Sequence, residues 1–335
     1  MTVDAAFTLD AVRTGPPPDG EHGLPLVVTA PSELEEVSLG SWLAGHRSWL
    51  LDTAQRFPAV LFRGFSVARV GDFESSVLAA GGQLHERYGD LPEPLPSCQF
   101  ARPATPYPAD RTILFHNEGA HLAGAPQRIW FHCEQPSERG GATPLVPTSV
   151  VLQRLPRPLR AAFEARGLRY VRRFVPGLDV PWRTFFGTNH PDAVAARCRD
   201  LGVTPTWEAG AVVQTAGLRP AVIAHPLSGQ LAFFNQLLLH HPASLDPDTR
   251  AALFDLFGPD GLPRSVTFGD GSSIPDSAVE DVIAVMREAA FAFPWQRGDV
   301  LMLDNVAVAH ARQPYAGRRQ INVALSALAS DQPIG

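Results

Sequence analysis

Hydrophobic positions change period several times along the chain, and the changes divide it into elements. From Ser32 the period is helical: Leu39, Trp42, Leu43, Trp49 and Leu50 recur at helix-like intervals, and Ser32-Glu-Leu-Glu35 has capping-box spacing. Phe57-Pro-Ala-Val-Leu-Phe-Arg-Gly64 is a continuous apolar run closed by glycine, which predicts a buried strand. A second helix is predicted over Gly71–Arg87. From Ile113 onward, short β-type runs alternate with glycine and proline punctuation. They predict strands at Thr112–Asn117, Arg128–Cys133, Ala221–His225, Leu231–Asn235, Val300–Leu303 and Gln320–Ala327. Helical patterns intervene at Ser149–Arg166, Ala193–Leu201, Pro247–Phe257 and Asp276–Phe291. There is no internal repeat, no regular βαβ alternation and no G-x-G-x-x-G opening a helix. The pattern disfavours a Rossmann domain and predicts an α+β fold, mainly β with flanking helices, of the decorated barrel or jelly-roll type.

Composition narrows the chemistry. All 28 basic residues are arginine, against 34 acidic ones, for a net charge of −6. Without lysine there is no Schiff-base enzyme of the pyridoxal-phosphate or aldolase kind, and no Walker A loop. The negative charge argues against a general nucleic-acid binder. No apolar stretch approaches the roughly 20 residues that cross a bilayer. Met1–Asp10 carries acids and lacks a basic start with an apolar core, so no signal peptide is expected. Cys98, Cys133 and Cys198 are an odd number without C-x-x-C spacing, which predicts a reduced, cytoplasmic protein. Oligomeric state is not legible.

Three histidines precede a carboxylate by two positions: His116/Glu118, His132/Glu134 and His190/Asp192. Chance predicts about one such pair, so context must separate them. Asn189-His-Pro-Asp192 follows a glycine and contains proline, which reads as a turn. His132-Cys-Glu134 closes an apolar run before Pro136 and reads as a strand-end pair facing solvent. His116-Asn-Glu118 closes Arg111-Thr-Ile-Leu-Phe115. On a strand, His116 and Glu118 share one face, side by side, as adjacent ligands of one metal would. Spacing alone does not choose between such a site and a hydrogen-bonded His–Glu pair. His310, at the end of Asp299–Ala309, is the best third ligand. Two histidines and one carboxylate form the facial triad of non-haem Fe(II) oxygenases. Arg319 then sits near the start of an apolar strand, and its planar guanidinium suits one carboxylate of a dicarboxylate cosubstrate whose other end chelates the metal.

Here the chain resembles a known family. His116-Asn-Glu118, Gly140-Gly-Ala-Thr143, Phe234-Asn-Gln236, Gly298-Asp-Val-Leu-Met-Leu-Asp-Asn305 and the stretch from His310 to Arg319 resemble the taurine-dioxygenase superfamily. Val60-Leu-Phe-Arg-Gly-Phe65, Tyr107-Pro-Ala-Asp110 and Phe293-Pro-Trp-Gln-Arg-Gly-Asp299 extend the resemblance over about Leu26–Ala327. The branch it is most similar to is the syringomycin-biosynthesis-type hydroxylases, with clavaminate synthase more distant. The resemblance implies a double-stranded β-helix (jelly-roll) core and Fe(II) held by His116, Glu118 and His310. It implies 2-oxoglutarate held by Thr143 and Arg319, and O2 as co-reactant. Glu118 implies hydroxylation rather than chlorination, because related halogenases carry a small residue there.

Gly119-Ala-His121 stands where relatives carry a Met-Ser-Tyr-like segment, and only Arg219 remains of the arginines common in Ala211–Arg219. Arg219, Gln236 and His121 are the expected substrate contacts, with a histidine at the pocket rim as the plainer reading of His121. The expected substrate is an amino acid or a derivative of one, free or tethered to a carrier protein. Hydroxylation is the default outcome, with desaturation or ring closure open to the same oxidant. The competing classes are a zinc hydrolase on the same ligands and a non-catalytic metal-binding barrel. Residues 1–25 are expected to form a loose arm. Residues 26–330 are expected to form a single oxygenase domain, whose insertion at about 144–220 supplies lid and substrate pocket, with the lid within Phe174–Thr188.

Overall fold

The structure is a computed structural model that describes residues 13–15, 24–30, 37–84, 89–90, 92–208, 212–329, 331 and 334. The capping-box motif at 32–35, most of the expected arm and residues 85–88 lie outside the described residues.

An eight-stranded sheet is the centre of the fold. Its path runs through Arg13–Gly15, Leu26–Thr29, Ala59–Arg63, Val300–Asp304, Arg128–Gln135, Gln320–Ala327 and Gln83–Leu84, with Arg102–Pro103 also on Gln320–Ala327. Every pairing is antiparallel except Leu26–Thr29 with Ala59–Arg63. Its central strands are apolar at successive positions because both faces are covered. Ala59, Leu61, Ile129, Phe131, Leu301, Leu303, Ile321, Val323 and Leu325 point into one core. Val60, Phe62, Trp130, Val300, Met302 and Ala324 point into another. Helices Leu39–Gly45, Arg47–Arg56 and Val70–Ala79 close that second core with Trp42, Leu43, Leu50, Phe73 and Val77. Helices of 7 and 10 residues are marginal alone. Burial of each large apolar side chain, at about 1.5–3 kcal/mol, is what holds them.

A three-stranded sheet faces the first. Val308–Arg312 lies between Ile113–His116 and Leu145–Pro147. Leu145 and Val308 enter the core shared with the large sheet. Phe115, Val146, Ala309 and Ala311 point the other way, onto helices Thr148–Arg154, Leu237–His240 and Asp276–Ala289. The layers are therefore helices, large sheet, small sheet, helices. A four-stranded sheet (Thr204–Glu208, Val212–Arg219, Leu168–Arg173, Arg264–Phe268) flanks the small sheet and adds Leu168, Tyr170, Val266 and Phe268 to the same helical core.

Three predicted helices are cut short or divided. The helix expected over Gly71–Arg87 ends at Ala79, because Gly81 adopts φ +83 and Gln83–Leu84 pairs with the last large-sheet strand. The single helix expected over Ser149–Arg166 is two, broken at Pro156, whose ring excludes a helical turn before it. The helical period after Ser32 becomes Leu39–Gly45, capped by Ser38, and Arg47–Arg56. Within the expected insertion, Leu145–Pro147 pairs with Val308–Arg312 and so belongs to the small sheet. Among the described residues no helix is long and apolar enough to cross a membrane.

Candidate active site

Strand register brings the first two site residues together. His116 ends its strand directly opposite His310, with ring centroids 4.3 Å apart. Glu118 follows two residues later, its Oε2 3.8 Å from His116 Nε2. One donor atom from each of His116, Glu118 and His310 lies within 4.8 Å of the others. His116 Nδ1 is 2.8 Å from the Leu114 carbonyl, which can only accept, so Nδ1 carries a proton and Nε2 is the nitrogen turned towards Glu118. At 3.8 Å that nitrogen and carboxylate are too far apart to bond each other. Burial, then the neighbouring His116, holds the His310 pKa well below its ordinary value, so this ring is neutral. Among the described residues its buried Nδ1 has no hydrogen-bond partner, and Phe131 packs edge-on against the ring, centroids 5.2 Å apart. Two imidazoles and a carboxylate, each offering a donor atom to one small gap, fit a divalent cation.

The turn at 137–143 carries the next pair. Arg319 donates from Nε to the Gly141 carbonyl at 2.9 Å and lies over the Tyr315 ring. Among the described residues, no protein group bonds the two outer nitrogens of that guanidinium. Burial, with Arg312 close by, lowers the Arg319 pKa to about 10, which still leaves it charged at neutral pH. Thr143, two residues from Gly141, is 3% exposed, and its hydroxyl accepts from Trp295 Nε1 at 3.1 Å. A guanidinium fixed by one nitrogen and open at its far end suits a carboxylate.

The remaining expected residues separate. Gln236 is buried beside the metal motif and donates to the Asn117 carbonyl at 3.1 Å. His121 is 4% exposed, which overturns the rim reading. It lies 3.6 Å from Asp90 and 5.0 Å, ring to ring, from His240, on a water-sized cavity also lined by Tyr170, Arg172 and Phe185. Arg219 is elsewhere engaged: its Nη2 donates to the Leu201 and Gly202 carbonyls behind helix Pro191–Asp200. His132 is 1% exposed and stacks on Phe73, so it does not face solvent; helix Val70–Ala79 covers that side of the strand. Its neighbour Glu134 accepts from Gln320 and Asn322. His190 is exposed and precedes a helix that Pro191 opens.

Two features were not read from the sequence. Asp90 and Asp179, from separate loops, converge on Arg172 and Arg264 beside His121. Asn117, Asn235 and Asn305 surround the backbone of the metal motif. The three asparagines stood in the sequence only as members of the motifs His116-Asn-Glu118, Phe234-Asn-Gln236 and Gly298–Asn305, with nothing to say that they meet.

Facing sheets, a His–Glu–His cluster between them and an arginine open towards a carboxylate define a class: the Fe(II)- and 2-oxoglutarate-dependent oxygenases. The profile of the taurine catabolism dioxygenase TauD, TfdA family matches residues 23–325, and the chain belongs to that family. It is 36% identical over 269 residues to the dapdiamide synthesis protein DdaC of Enterobacter agglomerans, covering 80% of this chain and 81% of that one. It is 32% identical over 280 residues to a clavaminate synthase-like protein of Arabidopsis thaliana, with the same coverage. Among solved structures, PvcB of Pseudomonas aeruginosa superposes with TM-score 0.54 at 16% identity, over 97% of this chain and 95% of that one. A taurine dioxygenase of Burkholderia xenovorans gives 0.51 at 18% identity, over 97% and 91%. These two show the shared fold. The enzyme is thus a dioxygenase that uses Fe(II), 2-oxoglutarate and O2.

Proposed function

We propose that the chain hydroxylates an amino acid or an amino-acid-derived intermediate, free or carrier-tethered, in specialised metabolism. The observation that carries the reaction type is the open end of Arg319, held by the Gly141 carbonyl two residues from Thr143, in the same fold as the His116–Glu118–His310 cluster. A zinc hydrolase or a non-catalytic barrel gives that arginine nothing to bind. A relative named for dapdiamide synthesis supports the metabolic setting. The facing sheets are read as the two halves of a double-stranded β-helix.

In this reading His116, Glu118 and His310 hold Fe(II), while Arg319 and Thr143 take the far carboxylate of 2-oxoglutarate. Bound together, iron, cosubstrate and O2 supply an oxidant that converts a substrate C–H bond to C–OH, with succinate and CO2 as co-products. The protein's part is placement and dryness. Trp295 holds the Thr143 hydroxyl in position, the Gly141 carbonyl holds Arg319, and Phe131, Leu145 and Val308 pack the shared core beside the ligands. His121 and Gln236 are proposed substrate contacts. Residues 174–188, with Phe174, Trp182, Phe185 and Phe186 packed together, are proposed as the lid.

The test is a panel of amino acids and acylated derivatives with enzyme, Fe(II), 2-oxoglutarate and O2, read by mass spectrometry. One member should gain a single oxygen atom in step with succinate formation, and should slow hydrogen exchange across 174–188. A product lighter by two hydrogens would instead establish desaturation or ring closure.

A further inference from the structure

Strand pairing does not reach Glu118. The ladder between Ile113–His116 and Val308–Arg312 ends with His116 opposite His310, and the chain then leaves the sheet. Main-chain groups that leave a sheet inside a protein need other partners. Carboxamide side chains supply them here.

Asn305 Oδ1 accepts from the Glu118 N–H at 2.8 Å, and Asn305 Nδ2 donates to the Glu118 carbonyl at 2.8 Å and to the Pro126 carbonyl at 2.8 Å. One side chain thus pairs with both polar groups of the Glu118 main chain, as a residue on an opposing strand would. Asn117 reciprocates, donating from Nδ2 to the carbonyls of Asn305 at 2.6 Å and Val308 at 3.3 Å. The Asn117 N–H donates to the Asn235 carbonyl, and Asn117 Oδ1 accepts from the Asn235 N–H at 3.3 Å.

The clasp is dry and anchored. Asn305 is fully buried and Asn117 nearly so. The Asn305 N–H donates to the Gln127 carbonyl at 2.8 Å. Its neighbour Asp304 accepts from the N–H groups of Val306 and Ala307 and pairs with Arg128 and His225. Burying a carboxamide costs stability unless all its groups are paired, and leucine would fill the volume without that cost. Asparagine at 305 therefore makes sense through what it binds, and two of its three bonds are to Glu118.

We propose that Asn305 is a positioning residue for the metal: by holding the Glu118 main chain, it sets the Glu118 carboxylate against His116 and His310. This rests on those three residues being the ligand set. Groups that orient a metal ligand are worth about 10–100-fold in metal affinity when removed.

Co(II), which resists oxidation, is the probe, with affinity read by calorimetry and geometry by its visible spectrum. Four full-length proteins form a cycle: the native chain, Asn305→Ala, Glu118→Ala and the double variant. Asn305→Ala should weaken Co(II) binding about 10–100-fold and shift its spectrum towards that of Glu118→Ala. In the Glu118→Ala background the same change should do nothing further. Equal weakening in both backgrounds, or unchanged affinity in folded Asn305→Ala, overturns the proposal. If Glu118→Ala binds Co(II) as the native chain does, the ligand assignment itself fails. Should Asn305→Ala not fold, Asn305→Asp runs the same cycle. It keeps shape and Oδ1 but turns the donor towards the Glu118 carbonyl into an acceptor, so the same loss is expected, and native-like affinity would overturn the proposal.

Discussion

His121 and His240 share a buried corner with Asp90, Arg172 and Arg264, and their protonation makes stability depend on pH. Burial pulls His121 down to about 3, with Asp90 opposing and the two arginines adding to the shift. Burial, then His121 and Arg264, hold His240 well below its ordinary value. In the unfolded chain both titrate near 6.5. Below that pH the unfolded state takes up protons that the folded state refuses, so stability is whole above about 6.5 and declines towards pH 3. Each histidine contributes a slope of at most about 1.4 kcal/mol per pH unit. Urea midpoints of the metal-free protein should fall steadily from pH 7.5 to pH 5, and His121→Gln should flatten the decline. A flat native profile would show that these rings protonate in the folded state. Neither the burial nor the partners of His121 were legible in the sequence. Gly119-Ala-His121 follows the metal motif, but Asp90, His240 and the arginines come from remote segments.

Elements were legible where one rule governs them. The strands Arg128–Gln135, Val300–Asp304 and Gln320–Ala327 stood out as apolar runs because both their faces are covered. The same covering misled at His132, where an imidazole stacks under a helix that the local pattern does not announce. The turn at Gly140-Gly-Ala-Thr143 was legible as a motif, and the structure supplies its reason. Both glycines have positive φ. A Cβ on Gly141 would meet Ser137 Oγ at 2.5 Å and Arg319 Cδ at 3.0 Å. Gly141→Ala should therefore displace the arginine, raising the KM for 2-oxoglutarate about tenfold or more with a smaller change in Co(II) affinity. Steady-state kinetics with calorimetry check this. An unchanged KM would mean that Arg319 does not depend on the turn.

At the scale of the whole chain, Asp331 reaches back to the strand behind the site. Asp331 accepts hydrogen bonds from two nitrogens of Arg128, and Asp304 forms an ion pair with the third, Nη1, at 3.0 Å. Arg128 is 1% exposed, so removing one carboxylate leaves a buried charge half compensated. Asp331→Ala should cost about 3 kcal/mol, visible as a lower melting temperature, and should weaken Co(II) binding less than Asn305→Ala does. A loss under 1 kcal/mol would mean that water replaces the carboxylate. The order of motifs over the chain was enough to expect the fold and the ligand set. What holds them lies in contacts between distant segments, such as Asp331 with Arg128 and Asn305 with Glu118, which no local pattern encodes.

The central claim is that His116, Glu118 and His310 hold the iron while Arg319 holds 2-oxoglutarate. The most direct measurement is aerobic consumption of 2-oxoglutarate with Fe(II), matched mole for mole to succinate, in the native chain, His116→Ala and Arg319→Ala. Turnover should be lost in His116→Ala. In Arg319→Ala it should persist only at much higher cosubstrate concentration. Unchanged turnover in both variants would contradict the assignment.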